Sequence, residues 1–464
     1  MYLTDLNLEN HNIFGSTSIP LGFNGENIKN RKTILIGQNG CGKSNLLECI
    51  ADALTIEFSE DKDKAAKDLQ YDYDLLIDDN INNKKISRQS KKQSIQINKL
   101  LAITSTSQDR FPFINKNSIR YSSQYIYLGM KTTTNNIFFS TLKESILLSL
   151  VKIYGDPKKI DSSVNVLEEL GFSEDFDVSL KKGRNFKLFN DRFVEGKEEV
   201  SSKERLDSKS FNKYINTEFS KTHRAWARDA VNKINSGQWK IQVKLKDKSN
   251  HDNKVKYLEF ITELLKNNVL SIDTLSLFSS SGYDMNQASS GEFNILKIFL
   301  SIIANVEDNS VVLIDEPEIS LHPNWQIEFS NLLDIALSAY KGCHSIIATH
   351  SHFILSNVSS ENSLILKLNP CVDSRQVEVT RLDLDSYGWS PEQTLYRVFG
   401  TTGYRNKYLE LDLRIIIDFL SEPSKDPQEF KEAISRVEKF NFESTDPLSV
   451  IITKAKKLSK ELGD

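Results

Sequence analysis

Residues 33–48 read TILIGQNGCGKSNLLE, and within them Gly37, Gly42, Lys43 and Ser44 fit the spacing GxxxxGK[ST]. One chemistry explains that spacing. Glycines let successive backbone N–H groups curl around a phosphate, a lysine reaches its outer oxygens, and a hydroxyl ligates Mg²⁺. The candidate cradle is Gly37, Gln38, Asn39, Gly40, Cys41, Gly42, Lys43, Ser44 and Asn45, with Ser44 as a metal ligand. Taken by itself, the run also reads as a flexible Gly/Asn turn.

Residues 311–323 supply a second half: VVLIDEPEISLHP. Val311 to Ile314 suit a buried strand that ends in two carboxylates. Asp315 there would hold Mg²⁺ through water, and Glu316 would orient or deprotonate an attacking water. An acidic turn after a strand is the plainer alternative. Ser345 to Ala348 form another apolar strand, which ends in Thr349-His350-Ser351. Upstream, Ser289-Ser290-Gly291-Glu292 precede a run of mostly helical spacing through Phe293, Leu296, Phe299 and Leu300. Alone, this is an ordinary helix cap. Its place, with Asp315 following Gly291 by 24 residues, gives it a second meaning.

Such groups need strands and helices to hold them. The 464 residues, 39% hydrophobic and 26% charged, have globular composition. With 59 basic and 63 acidic side chains the net charge is −4, which argues against a polycationic tail but leaves a local basic surface open. No apolar run has membrane-spanning length, the N-terminus lacks a secretory pattern, and four cysteines show no metal or disulfide spacing. A cytoplasmic protein with free thiols is expected. Leu3, Leu6 and Leu8, then Ile19 and Leu21, predict two strands before the glycine loop. Tyr73/Leu75/Ile77 and Ile95/Ile97 predict an antiparallel meander. Residues 141–280 read as a mostly helical insertion, and residues after Pro391 as helices. The basic pairs at Lys84-Lys85 and Lys91-Lys92 read as solvated surface, and Trp226, between Arg224 and Arg228, as a helix core residue.

The ordered motifs resemble those of ABC-type ATPase heads: Walker A at 37–44, signature at 289–292, Walker B at 311–316, D-loop at 320–323 and H-loop at 349–351. GQNGCGKSNLLE is similar to the heads of RecF, SMC, Rad50 and OLD proteins. EPExxLHP resembles the OLD and RecF-like group in particular. The resemblance implies an α/β fold: a P-loop ATPase head with an antiparallel β lobe, a helical insertion and a helical C-terminal extension. Its expected bounds are 1–140 and 281–388 for the head, 141–280 for the insertion and 389–464 for the extension. It implies ATP and Mg²⁺, hydrolysis with Glu316 and His350 as catalytic residues, and His350 on the γ-phosphate. Ser289, Ser290, Gly291 and Glu292 would contact the γ-phosphate held by the opposite protomer. Gln124, after Ile119-Arg120-Tyr121, is the candidate Q-loop residue and a metal ligand. His322 lies in the D-loop without a metal role.

An OLD-type Toprim nuclease would need further metal carboxylates. Asp383-Leu384-Asp385 lacks an upstream partner and reads as a solvated turn, so no intrinsic nuclease is expected. A head of this length without Toprim resembles the PtuA family, ATPases of Septu and some retron anti-phage systems that work with an HNH nuclease. That resemblance implies a head-to-head homodimer, a higher oligomer and an HNH partner of PtuB type. It leaves phage DNA or retron RNA and DNA open as ligands, and involves no membrane. The alternative is a RecF- or SMC-like DNA-repair or chromosome-maintenance ATPase without a nuclease partner. A scaffold that binds ATP and barely turns it over is a third reading, opposed by Glu316 and His350.

Overall fold

The computed structural model describes residues 1–22, 29–78, 83–106, 109–114, 118–129, 139–191, 221–237, 239–247, 251–279, 289–370, 376–382, 407–421, 427–437 and 447–461. The chain forms two compact units, Met1–Pro391 and Glu392–Asp464.

The first unit opens with β1 (Tyr2–His11), β2 (Gly15–Pro20), β3 (Arg31–Gly37) and helix α1 (Lys43–Phe58). Next come β4 (Asp72–Asp78), β5 (Asn83–Ser87), β6 (Lys99–Thr104) and β7 (Tyr125–Tyr127). Then follow α2 (Phe139–Tyr154), α3 (Pro157–Glu169), β8 (Phe172–Lys182), α4 (Lys221–Asn235), β9 (Lys240–Lys244), α5 (His251–Lys266) and β10 (Leu270–Ser279). The unit ends with α6 (Ser290–Asn305), β11 (Ser310–Asp315), α7 (Pro323–Leu337), β12 (His344–Ala348), β13 (Ser363–Pro370) and β14 (Val377–Leu382).

A seven-stranded sheet, ordered β14-β13-β3-β12-β11-β6-β7, carries the site. All neighbours in it are parallel except β14, which runs antiparallel to β13 at one edge. Every residue of β3, β11 and β12 is buried, as expected for parallel strands covered on both faces. Their registers align the ends that matter: Asp315 pairs with Ala348 on one side and with Thr104 on the other. A four-stranded antiparallel sheet, β2-β1-β4-β5, forms the lobe. Between the two sheets α1 buries Leu46, Leu47, Ile50, Ala51, Leu54 and Ile56 in one core with Leu6, Leu75, Leu313 and Ile346. Only one face of the helix, Ser44, Asn45, Glu48 and Asp52, stays half-buried and polar, with Asp52 accepting from Arg120 and Tyr71. At about 25 cal/mol per Å² of apolar surface, each buried leucine there contributes roughly 2 kcal/mol before entropy is counted.

Two expectations change. Ile95 and Ile97 lie in an irregular stretch before β6, and the lobe is closed by β5 instead. Among the described residues the insertion holds five helices, one of them the single turn Phe186–Phe189, and also a three-stranded antiparallel sheet, β10-β8-β9. Trp226 packs on α5, with its ring 5.6 Å from Tyr257 and 5.9 Å from Phe260.

The second unit holds α8 (Lys407–Ser421), α9 (Pro427–Val437) and α10 (Pro447–Glu461). Its core includes Ile416, Phe419, Phe430, Ile434 and Ala455, with Phe419 stacked on Phe430 at 4.2 Å. Arg436 clamps Asp412 through Nε and Nη2 at 2.8–3.2 Å. Among the described residues no helix is long and apolar enough to cross a membrane. The Asp383-Leu384-Asp385 turn and the helical pattern at Leu395–Phe399 lie outside the described residues.

Candidate active site

β3 runs directly into the glycine loop and α1 leaves it. Gly37 has φ 152°, and a Cβ there would strike the Leu368 carbonyl and the Cys41 sulfur, so only glycine fits. The loop exposes Gln38, Asn39 and Gly40, then buries Cys41, Gly42 and Lys43. Ser44 and Asn45 open α1, half-buried. No side chain caps α1 and no acidic residue stands in its first turn. Its first N–H groups and the positive end of its dipole therefore face the loop without an internal counter-charge.

Three stretches of chain converge on Lys43. Its ammonium donates to the carbonyls of Gly37 and Gln38 at 3.1 and 3.3 Å and lies 2.6 Å from Nε2 of His350. Burial lowers the Lys43 pKa, while Cys41, Glu316, Glu318 and Asp315 oppose the shift. His350 is held neutral, pushed down to about 4 by burial and by the Lys43 charge. Its ring nitrogen therefore accepts from the ammonium. Glu316 Oε1 stands 3.8 Å from the same Nε2. Glu316 itself is strained at φ 48°, a left-handed conformation rare for a residue with a side chain, and its N–H donates to Ala348 O at 2.9 Å.

Asp315 completes the group. It is 3% exposed, and Oδ1 accepts from the Ser44 hydroxyl at 3.0 Å. Burial pushes its carboxyl up to about 7; the charges of Glu316, Asp109 and Glu318 add to this, and the Ser44 hydrogen bond opposes it. A buried carboxylate beside a serine hydroxyl fits a hard divalent cation. Among the described residues no three His, Cys, Asp or Glu side chains form a complete metal cage.

The signature residues cluster at the start of α6. Ser289 Oγ accepts from Glu292 N at 3.3 Å, and Ser289 N donates to Glu292 Oε2 at 2.6 Å, a complete capping box. Ser289 and Ser290 are exposed. Gly291 is buried against the Ser320 carbonyl, where any Cβ would clash. Asn294 reinforces that seam, donating to Ile319 O and to Ser105 Oγ at 3.0 Å each. His322 caps α7, accepting from Asn324 N at 3.3 Å.

Gln124 is not part of this assembly. It precedes β7 at the N-terminal end of a parallel strand, whereas Lys43, Asp315 and His350 follow C-terminal ends. Its side chain donates to Ile97 O at 2.8 Å, and residues 119–121 form no strand before it. It is withdrawn as a nucleotide or metal ligand. The segment that does follow a neighbouring strand end is the one after β6, where Thr104 pairs with Asp315. Gln108 in that segment lies outside the described residues. Sequence reading also passed over Glu318. Its Oε1 accepts from His350 N at 2.6 Å and its Oε2 from Thr349 Oγ1 at 2.8 Å. Burial raises its pKa, with those hydrogen bonds opposing. The visible signal was a second acid after Pro317.

A phosphate loop, a strand-end carboxylate pair and a strand-end histidine on one parallel sheet, with an antiparallel lobe beside it, define an ABC-type P-loop ATPase head. The chain belongs to the AAA_15 family, the AAA ATPase domain, which it matches over residues 1–355. It is 25% identical over 368 residues to the retron Vc95 probable ATPase of Vibrio cholerae serotype O1 biovar El Tor, covering 72% of this chain and 68% of that protein. It is 24% identical over 411 residues to the retron Ec83 probable ATPase of Escherichia coli, covering 79% and 71%. Among solved structures, the SMC head domain from Thermotoga maritima aligns at 13% identity and TM-score 0.33, over 83% of this chain and all of that one. An SMC head bound to the C-terminal winged-helix domain of ScpA aligns at 11% and 0.36, over 83% and 98%. At those scores the likeness carries no weight, and the fold assignment stands on strand order and site geometry.

Proposed function

We propose that this chain is an ATP-hydrolysing head that works as a nucleotide-gated homodimer, part of a higher oligomer, and controls an HNH nuclease in retron- or Septu-type anti-phage defence. The convergence of Lys43, Ser44, Asp315, Glu316 and His350 at the ends of β3, β11 and β12 carries the ATPase part. The two retron ATPases among its relatives support the defence setting.

Each site takes those five residues from one copy and Ser289, Ser290 and Gly291 from the other. The loop Gly37–Gly42 and the open turn of α1 bind the phosphates, with Asn45 in that turn. Lys43 turns from His350 to the outer phosphates. Ser44 and Asp315 hold Mg²⁺, which neutralises phosphate charge when bound. Glu316 orients the attacking water or takes its proton, and His350 offers a neutral ring to the γ-phosphate. A signature contact exists only while the γ-phosphate is present, so hydrolysis biases the heads apart. We place the protein in the cytoplasm, and phage DNA or retron RNA and DNA are its proposed nucleic-acid ligands.

The test is purification of the tagged full chain, co-expressed with its neighbouring genes, and its native mass with and without ATP. A co-purifying nuclease in fixed stoichiometry supports the proposal. An ATP-dependent homodimer with no nuclease, and hydrolysis stimulated by DNA, would move the reading to a repair or chromosome-maintenance ATPase.

A further inference from the structure

We infer that Glu318 is a positioning residue that sets the hydrolytic histidine through its backbone. The inference rests on the ATPase reading and specifies how that site holds its γ-phosphate contact. Both carboxylate oxygens of Glu318 are committed to one loop: Oε1 to His350 N at 2.6 Å, Oε2 to Thr349 Oγ1 at 2.8 Å. Hydrogen bonds to a carboxylate are stronger and shorter than neutral ones. Thr349 Oγ1 also accepts from Ser351 N at 2.9 Å, so the same hydroxyl shapes the turn that follows. Ser351 Oγ donates to Gln326 Oε1 at 2.6 Å, and Gln326 Nε2 donates to Leu321 O at 2.8 Å. The loop after β12 is thus fastened to the segment after β11 by side chains on both sides of His350.

The backbone adds one more tie, Glu316 N to Ala348 O at 2.9 Å. Glu316 and Glu318 therefore divide the work. Glu316 faces the His350 ring at 3.8 Å, while Glu318 grips the peptide that carries the ring. Pro317 between them fixes φ and limits the turn that sends the two carboxylates to different atoms. Without Glu318, the His350 amide and the Thr349 hydroxyl lose their acceptor, and the ring is free to shift against Lys43 and Glu316. A displacement of about 1 Å at a reacting centre can cost ~100-fold in rate.

The experiment measures ATP turnover, ATP affinity and hydrogen exchange on the full chain. Glu318→Ala should lower kcat roughly 10- to 100-fold with KM changed less than about twofold, since the phosphate loop is untouched. Glu318→Gln keeps an oxygen for His350 N and an amide that can donate to Thr349 Oγ1, so kcat should stay within about fivefold of wild type. The double variant Glu318→Ala/His350→Ala should be no slower than His350→Ala alone. Without nucleotide, the His350 amide should exchange faster in Glu318→Ala and stay protected in Glu318→Gln. If Glu318→Ala does not fold, Thr349→Val carries the test: it removes the Oε2 anchor together with the acceptor for Ser351 N, leaves Oε1 on His350 N, and should lower kcat roughly threefold to tenfold with KM kept.

The role is overturned if Glu318→Gln is as slow as Glu318→Ala, which would mean a charge or proton function. It is also overturned if the double variant shows the product of the two single losses. A His350→Ala chain that turns over at the wild-type rate overturns the hydrolytic reading, and the role of Glu318 falls with it. A slow His350→Ala beside a fully active Glu318→Ala overturns Glu318 alone.

Discussion

Two helices of the head carry a glycine at their start, Gly42 before α1 and Gly291 in the first turn of α6, and treat their first N–H groups in opposite ways. α1 has no side-chain cap and no acid in its first turn. α6 has a closed capping box, with Glu292 both capping and placing a negative charge at the positive end of the dipole. An anion at α1 answers first-turn donors that have no side-chain cap and no acidic neighbour in that turn. An anion at α6 has to share its place with Glu292. The difference separates two tasks. In the proposed dimer, the phosphate loop would set nucleotide affinity within one copy, and the signature, already capped by itself, would add a smaller increment when a second copy presents it.

The largest effects should therefore come from the first loop. Lys43→Ala should raise the ATP dissociation constant at least about 100-fold by calorimetric titration. Glu316→Gln should keep ATP bound while turnover drops roughly 100-fold or more. Equal loss of affinity in both would break the division between binding and chemistry.

Asp315 comes next, because the same burial that suits a cation costs the metal-free chain. Its carboxyl titrates at about 7 when folded, against 3.8 for an aspartate side chain in water. Between those values the native state binds the extra proton. Stability from this group is thus full below about 4 and lost as pH rises toward 7. Asp315→Asn should abolish Mg²⁺-dependent turnover yet raise the melting temperature in chelator at pH 7.5 by about 2 °C or more. A lower melting temperature would contradict the sign.

At α6 the changes should be smaller. Ser289→Ala should cost about 1 kcal/mol of stability from the lost cap, and should weaken the ATP-dependent dimer. Glu292→Gln keeps the box, since glutamine also serves at that position, and removes the charge. That dimer should tighten severalfold by analytical ultracentrifugation; no change would show that Glu292 does not compete with phosphate. Gln124→Ala should leave turnover at the wild-type rate, because its amide serves Ile97 O at the other end of the sheet.

The legible parts of the site were those written in a few consecutive residues. The glycine spacing, the apolar run ending in Asp315-Glu316 and the strand ending in His350 each carry a local reason. Gln124 misled because a glutamine near a β pattern does not say which end of the strand it occupies. That depends on strand direction and on which strand pairs with β11. Glu318 was hidden for a related reason: its partners, Thr349 and His350, lie about thirty residues away, and only the pairing of β11 with β12 brings them within reach. The sheet β10-β8-β9 was missed although Phe176 and Val178 alternate with Asp175 and Asp177 as a strand should, because its three strands are separated by helices and pair across more than sixty residues.

The central claim is that one nucleotide site needs two copies of the chain. Mixing settles it most directly. Lys43→Ala lacks a phosphate loop and Ser289→Arg lacks a signature, and each alone should be inactive. In a mixed dimer, one site pairs an intact loop with an intact signature. ATP turnover should reappear on mixing, with a maximum near equal proportions. If the mixture stays as inactive as its components, or if Ser289→Arg alone hydrolyses ATP at the wild-type rate, the shared site is wrong.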